Sequence, residues 1–489
     1  MEATTPPSSS VPAPARDATL DSIASFFDAF SRVEERWRKR NSTYHRLIER
    51  IHRFLIPPGT RVLELGSGSG DLLAALEPSR GVGVDVSAGM TALASERHPD
   101  YEFVNAAAEE FVCDETFDYV VLSDLAPFAY DIQAILANVA RMTHPRSRIV
   151  IHSYSQLWRP VIRMAELLRL KEEKPIQNWV TSGDVSTLLD LAGFEVISVS
   201  RRIIFPKQIP LLTTFLNGVV ANLWPFTYLA LTYWVVARPK PRRLEPPLSV
   251  SVVIPCRNEQ GMIAEIVDRI PDMGAATEII FVEGGSRDDT YAEVERQIAR
   301  RADRTISLHR QTGKGKADAV RLGFEHARHD VLMILDADLT VMPEELPKFY
   351  DALASGHAEF VNGSRLVYGL APGSMQFLNI LGNKVFSRIF TFLIGQPVKD
   401  TLCGTKVLRR EDYKAIARNR AEFGDLDPFG DFDLLLGAAQ LSLRITDLPI
   451  RYQARSYGAT NIARFSHGWL LLRMAVTGFR RLKAQPVTR

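Results

Sequence analysis

Two alternating patterns run along this 489-residue chain. Short apolar runs end in glycine or acidic residues, and longer stretches with helical spacing follow them. "RVLEL", "GVGVDV" and "FDYVVL" are such runs in the first half, "SVVIP", "EIIFV" and "VLMIL" in the second. An apolar run of this length between turn residues reads as a buried strand. Strands alternating with helices read as open, largely parallel α/β sheets. The pattern restarts after "ARPKPRRLEPP", Ala237 to Pro247, where four basic residues and four prolines in eleven positions make a stiff, solvated connector. Two α/β units are therefore expected, at 17–237 and 248–475. A Pro/Ser/Ala-rich tail at 1–16 is expected to be disordered. The connector takes 238–247 and a basic tail 476–489.

Composition changes this picture little. A hydrophobic share of 46% and a charged share of 24% allow sizeable cores. The net charge of +2 gives no support for nucleic-acid binding. Cys113, Cys256 and Cys403 are too widely spaced for a disulfide framework or a thiolate metal site. They fit a reducing cytosol, no signal segment opens the chain, and a cytoplasmic location is expected.

In the first half, "RVLELGSGSGDLLAAL" reads as strand, glycine turn and helix. Gly66, Gly68 and Gly70 let the backbone turn sharply and approach a ligand that a Cβ would exclude. Asp85, at the end of the next apolar run, suits the two hydroxyls of a ribose. The spacing is G-x-G-x-G rather than G-x-G-x-x-G, and Glu64 precedes it. An acidic residue there favours an amino-bearing ligand over a pyrophosphate. These residues resemble the class I S-adenosylmethionine-dependent methyltransferases, over roughly Ser42 to Arg238. The resemblance implies that Glu64 and the Gly66–Gly70 backbone hold the amino-acid end of the cofactor and Asp85 its ribose. It also implies a fourth strand, "FDYVVLSDLA", ending in Ser123 and Asp124 by the reaction centre. Ala107 stands near the family's acidic adenine-binding position, and Glu109 is expected to take that role.

In the second half, "DVLMILDADLT" runs five apolar residues into Asp336 and Asp338. If the strand continues, both point the same way, and two crowded anions call for a cation. Ligands of such sheets gather at the carboxyl ends of the strands. Asn258/Glu259, Glu283/Ser286, Lys314/Lys316 and Asp336/Asp338 would meet there, with Ser286 and Asp288 capping the second helix. V-I-P-x-x-N-E, V-E-G-G-S-x-D-x-T and D-A-D together resemble the family 2 glycosyltransferases, over roughly Ser249 to Arg473. The implied architecture is two Rossmann-like domains, a class I methyltransferase fold followed by a GT-A nucleotide-sugar-binding fold. The resemblance implies that Asp336 and Asp338 bind Mg²⁺ or Mn²⁺ on the diphosphate of a nucleotide-sugar. It implies that Pro255, Glu259 and Glu283 line the nucleoside pocket, with Lys316 near phosphate.

"FVNGSRLVYG", "DTLCGTKVLRR" and "LPIRYQARSYGATN" look like the polyprenyl-phosphate sugar transferase branch. That points to Arg365, Asp400, and Arg455 with Tyr457, around a phosphate acceptor. Asp431 and Asp433 in "GDFDLL" stand as bases for the alternative acceptor, a glycan hydroxyl, which must lose a proton. A metal-dependent, inverting glycosyltransferase with an attached methyltransferase is the expected activity. Two alternatives stay open: a non-catalytic cofactor- or partner-binding amino-terminal half, and a sugar nucleotidyltransferase. "FPKQIPLLTTFLNGVVANLWPF" reads as an inserted helix covering a site, a partner surface, a membrane-surface contact or a core helix. The basic helix Arg464–Lys483 reads as docked on the sheet or lying in a membrane surface.

Overall fold

The computed structural model describes residues 13–167, 178–368, 377–420, 430–453 and 464–484. The chain divides into two compact units between Lys240 and Pro241. In the first, β1 (Arg61–Leu65), β2 (Arg80–Asp85), β3 (Glu102–Asn105), β4 (Phe117–Ser123), β5 (Thr143–Tyr154), β6 (Phe194–Arg202) and β7 (Thr232–Pro239) form one sheet. Their order is β3-β2-β1-β4-β5-β7-β6. The first five are parallel and β7 runs antiparallel between β5 and β6. The reversal of strand order at β1 opens a crevice at the carboxyl ends of β1 and β4, where ligands of such sheets bind.

The second unit holds β8 (Val250–Cys256), β9 (Thr277–Glu283), β10 (Thr305–Arg310), β11 (Val331–Ile334), β12 (Phe360–Ser364), β13 (Lys406–Arg409) and β14 (Ile445–Pro449), in the order β10-β9-β8-β11-β13-β12-β14. β8 to β11 are mutually parallel and β13 enters antiparallel to β11 and β12. The apolar run Val331–Leu335 is fully buried at the centre, as its uninterrupted character predicts.

Several expectations change at element boundaries. β11 stops at Ile334, so Asp336 and Asp338 sit in a turn, with Leu339 at φ +52°. Strand alternation therefore does not set their directions. The first helix, Ala13–Ser31, begins inside the stretch expected to be disordered. Arg238, assigned to the connector, is a buried residue of β7 paired with Glu195 at 2.8 Å. The connector itself is tied down, Leu244 N–H donating to the Ala354 carbonyl. Helix Arg464–Gly478 and the turns through Ala484 pass well beyond residue 476. This helix docks on the unit through Leu471, Met474, Ala475 and Leu482, all buried. Among the described residues no helix is long and apolar enough to cross a membrane.

Two candidate active sites

In the first unit the glycine turn leaves β1 with Gly66 at φ +76°, Gly68 at φ +51° and Gly70 at φ +73°. These values favour glycine. A Cβ on Gly66 or Gly70 would strike Leu125 or Phe103, whereas one on Gly68 meets nothing within 4 Å. The turn is packed at both ends and open in the middle, leaving room for a ligand. Asp85 Oδ2 accepts the Gly68 N–H at 2.9 Å and Oδ1 the Ser87 N–H at 3.0 Å. Glu64 is buried, its Oε2 has no partner, and burial pushes its carboxyl up to about 8. An orphaned acid beside open backbone suits an amino-bearing ligand, which restores both its charge and a hydrogen bond. The residues fit the S-adenosylmethionine implied by the sequence.

Asp124 follows β4 at φ +54°, in the left-handed region that aspartate enters more readily than most side chains. Tyr44 Oη donates to its Oδ2 at 3.3 Å, and His152 Nδ1 lies 3.6 Å from Oδ1 and 3.2 Å from Ser123 Oγ. Burial drives His152 down to about 3, so it is neutral at physiological pH. Tyr44 and Tyr154 stack with centroids 5.8 Å apart, and burial raises both phenols. The sequence pattern did not point to Tyr44, His152 or Tyr154. The signal for His152 was a lone imidazole closing the apolar run "RIVIHSY". Glu109, expected to take the adenine, is buried and tied to the chain beyond β4. Its Oε1 accepts the N–H groups of Tyr130 at 2.9 Å and Asp131 at 3.4 Å, anchoring the loop after β4.

Helix Ala13–Ser31 crosses this edge. Asp28 accepts from Ser87 Oγ at 2.6 Å and from Gly89 N–H at 2.8 Å, beyond β2. Phe27 meets Phe128, beyond β4, edge to face at 5.3 Å.

In the second unit the loops after β8 and β9 are laced together. Asn258 N–H donates to Ser286 Oγ at 3.0 Å, Glu259 N–H to Thr290 Oγ1 at 3.0 Å, and Gln260 N–H to Asp288 Oδ2 at 3.3 Å. Ser286 therefore does not cap the helix Thr290–Arg300, and Asp288 serves the start of the helix Gln260–Arg269 as well as the Thr290 N–H. Pro255 ends β8 beside this lacing, Glu259 and Glu283 are buried at the same edge, and Glu283 accepts the Ser286 N–H. Lys316 opens its helix and pairs with Asp336 at 2.5 Å. Asp338 Oδ1 accepts from Thr340 N–H at 3.1 Å and Oγ1 at 2.7 Å. Gly404 presses on this cluster: a Cβ there would lie 2.2 Å from both Asp336 Oδ2 and Lys316 Nζ. The described residues include no group of three or more ligands that could hold a metal. Two carboxylates at one turn are nevertheless what a Mg²⁺ or Mn²⁺ ion shared with a diphosphate requires, so the donor set fits.

Other expected site residues are engaged elsewhere. Asp433 is buried and pairs with Arg420 at 2.6 Å and Arg321 at 3.5 Å. Asp431 opens the helix Asp431–Gln440. Arg365 forks onto Asp400, Nε to Oδ2 at 2.8 Å and Nη2 to Oδ1 at 2.9 Å, leaving its bidentate face occupied. Asn383 Nδ2 also donates to Asp400 at 2.7 Å, and the paired guanidinium with these donors outweighs burial to hold that carboxyl at about 2. Arg365 thus braces the loop that carries Asp400. Arg455 and Tyr457 lie outside the described residues.

Both sheets and both edges thus define nucleotide-handling transferase units. The family model for glycosyl transferase family 2 matches residues 251–417, and one for a methyltransferase domain matches residues 36–199. The chain is 31% identical over 222 residues to a dolichyl-phosphate hexose transferase of Haloferax volcanii, covering 45% of this chain and 89% of that protein. It is 29% identical over 227 residues to glycosyltransferase AglJ of the same organism, covering 46% and 70%. Against polyprenol monophosphomannose synthase of Mycolicibacterium smegmatis it is 26% identical over 246 residues, covering 49% and 91%. The chain belongs to glycosyl transferase family 2, and a methyltransferase domain precedes its glycosyltransferase domain.

Two outcomes follow from the geometry. Glu64 holds a proton in the folded, ligand-free protein between its ordinary value of 4.5 and about 8. Its contribution to stability therefore falls as pH rises through that window, and Glu64→Gln removes the slope, leaving the variant about 1–3 kcal/mol more stable at pH 8. Denaturant titrations across pH read this directly. Gly404→Ala displaces Lys316 from Asp336, lowering the glycosyl-transfer rate by about 10- to 100-fold. Its thermal midpoint stays within about 5 °C of the parent.

Proposed function

We propose that the protein is a bifunctional transferase. The second unit moves a sugar from a nucleotide-sugar to a polyprenyl phosphate, and the first transfers a methyl group from S-adenosylmethionine. The observation that carries this reading is the convergence of Asp336, Asp338 and Lys316 on the edge that also holds Glu259 and Glu283. Asp336 and Asp338 would hold the divalent cation; when bound, it offsets negative charge growing on the leaving diphosphate. Lys316, freed from Asp336, supplies a further positive charge to that group.

The choice of acceptor turns on the proton. A sugar hydroxyl needs a base, and Asp433 is committed to two arginines. An acceptor phosphate is already ionised and needs none. The names of the relatives, a dolichyl-phosphate hexose transferase and a polyprenol monophosphomannose synthase, support the same choice. Attack by the phosphate oxygen on the anomeric carbon, opposite the departing diphosphate, inverts its configuration.

In the first unit, Glu64 and the Gly66–Gly70 backbone take the amino-acid end of the cofactor and Asp85 its ribose. The cofactor supplies an electrophilic methyl group when bound. Asp124, oriented by Tyr44 and His152, accepts the proton that the nucleophile releases.

Donor hydrolysis measured across nucleotide-sugars with Mn²⁺ tests the second unit. Asp338→Asn is expected to reduce it by about 100-fold or more, and undiminished hydrolysis in that variant would sink the metal site. For the first unit, calorimetric titration with S-adenosylmethionine at pH 7, repeated in two buffers of different ionisation enthalpy, should report release of about one proton as Glu64 re-ionises. Absence of heat with the folded protein would favour a domain that does not use this cofactor.

A further inference from the structure

The β6–β7 connection and the segment after β5 emerge together at the edge that carries Asp124. Ser123 pairs in register with His152, and Tyr154 and Arg202 both pair with Thr232. The two segments are joined, with Ser155 N–H donating to the Leu231 carbonyl at 2.8 Å and Trp158 Nε1 to the Leu229 carbonyl at 3.0 Å. The connection buries a few residues, among them Ile203, Ala221 and Ala230, and both segments expose many apolar ones. Leu211 is 87% exposed, Leu167 83% and Trp224 81%, with Phe215, Tyr228 and Met164 also exposed. Exposed apolar side chains are ordinary when scattered singly; a contiguous group marks a contact surface.

Three features identify the occupant. First, charge: no aspartate or glutamate occurs from Arg201 to Lys240, while Arg201 and Lys207 lie within that stretch, and Arg159 and Arg163 outnumber Glu166 in the neighbouring segment up to Leu167. Such a surface complements an anionic one. Second, side chains of the insert satisfy several of its own backbone groups. Asn217 Oδ1 accepts the N–H groups of Ile204 at 2.9 Å and Phe205 at 2.8 Å, its Nδ2 donates to the Phe205 carbonyl, and Thr213 bonds both Ile209 N–H and the Lys207 carbonyl. A loop entering a low-dielectric layer needs this self-sufficiency. Third, Leu211 is held at φ +63° yet is the most exposed of these residues, so the fold presents its side chain outward at a conformational cost. The helical pieces, such as Leu212–Gly218, are far too short to span a bilayer. Trp224 and Tyr228 suit the headgroup layer, where one side of the ring is apolar and the other wet.

We propose that this rim docks on an anionic lipid bilayer, setting the Asp124 edge of the first unit against the membrane surface. Resting on the methyltransferase reading, the substrate class follows: the methyl acceptor is the polar head of a lipid-anchored molecule presented from that bilayer.

The test is flotation of the full chain with vesicles of phosphatidylcholine alone or mixed with phosphatidylglycerol. The parent protein is expected to float with the mixed vesicles and about tenfold less with the neutral ones. A triple variant, Leu211→Asn, Phe215→Ser and Trp224→Ser, is expected to lose flotation by about tenfold or more. S-adenosylmethionine titration of the same variant should match the parent, which reports folding independently of lipid. Failure of that titration in the parent bears on the methyltransferase reading; failure of flotation bears on the docking surface. Parent protein that stays unbound, or a variant that floats equally well, overturns the proposal. So does sedimentation showing a dimer that the variant dissolves while neither binds vesicles, because the rim would then be a contact between copies.

Discussion

A carboxylate at the mouth of a buried strand needs a cation beside it, and in the second unit Lys316 supplies one to Asp336. The central strand β11 is apolar on both faces and ends abruptly, so the first polar groups after it stand at the boundary of a dry interior. Like-charged neighbours there repel. The lysine relieves part of that repulsion. Gly404 allows this pairing because its bare backbone leaves room for both side chains. The loop from Asp400 to Gly404 therefore joins a buried Arg365–Asp400 pair at one end to the charged centre at the other.

The architecture was legible because burial leaves a simple trace. Runs such as Val331–Leu335 and Phe117–Leu122 contain few polar residues, since both faces of a central strand are covered. Acidic and glycine residues follow or close those runs, and Glu64, Asp85, Asp336 and Lys316 all lie toward the carboxyl-end edges of the two sheets. The turn itself was less legible: β11 ends at Ile334 and the chain turns through Leu339 at positive φ, which no apolar pattern encodes.

Partner choice was harder to see. Asp433 and Arg365 carry side-chain types suited to catalysis and phosphate binding, but each is neutralised by a residue distant in sequence. A charge pattern read along the chain cannot distinguish a poised group from a paired one. The same limit hid Tyr44 and His152, which reach Asp124 from a helix and a neighbouring strand. The insert shows the converse case. Its apolar composition fitted a core helix as readily as a surface, and only the exposure of Leu211 and Trp224 separates the two.

Helix Ala13–Ser31 holds the loop after β2 through Asp28 and the loop after β4 through Phe27. The glycine turn after β1 lies between those strands in the sheet. A strap fastened on both banks of a crevice couples them mechanically. Any widening of that gap would have to stretch or release an aromatic contact and a carboxylate clasp in the same motion.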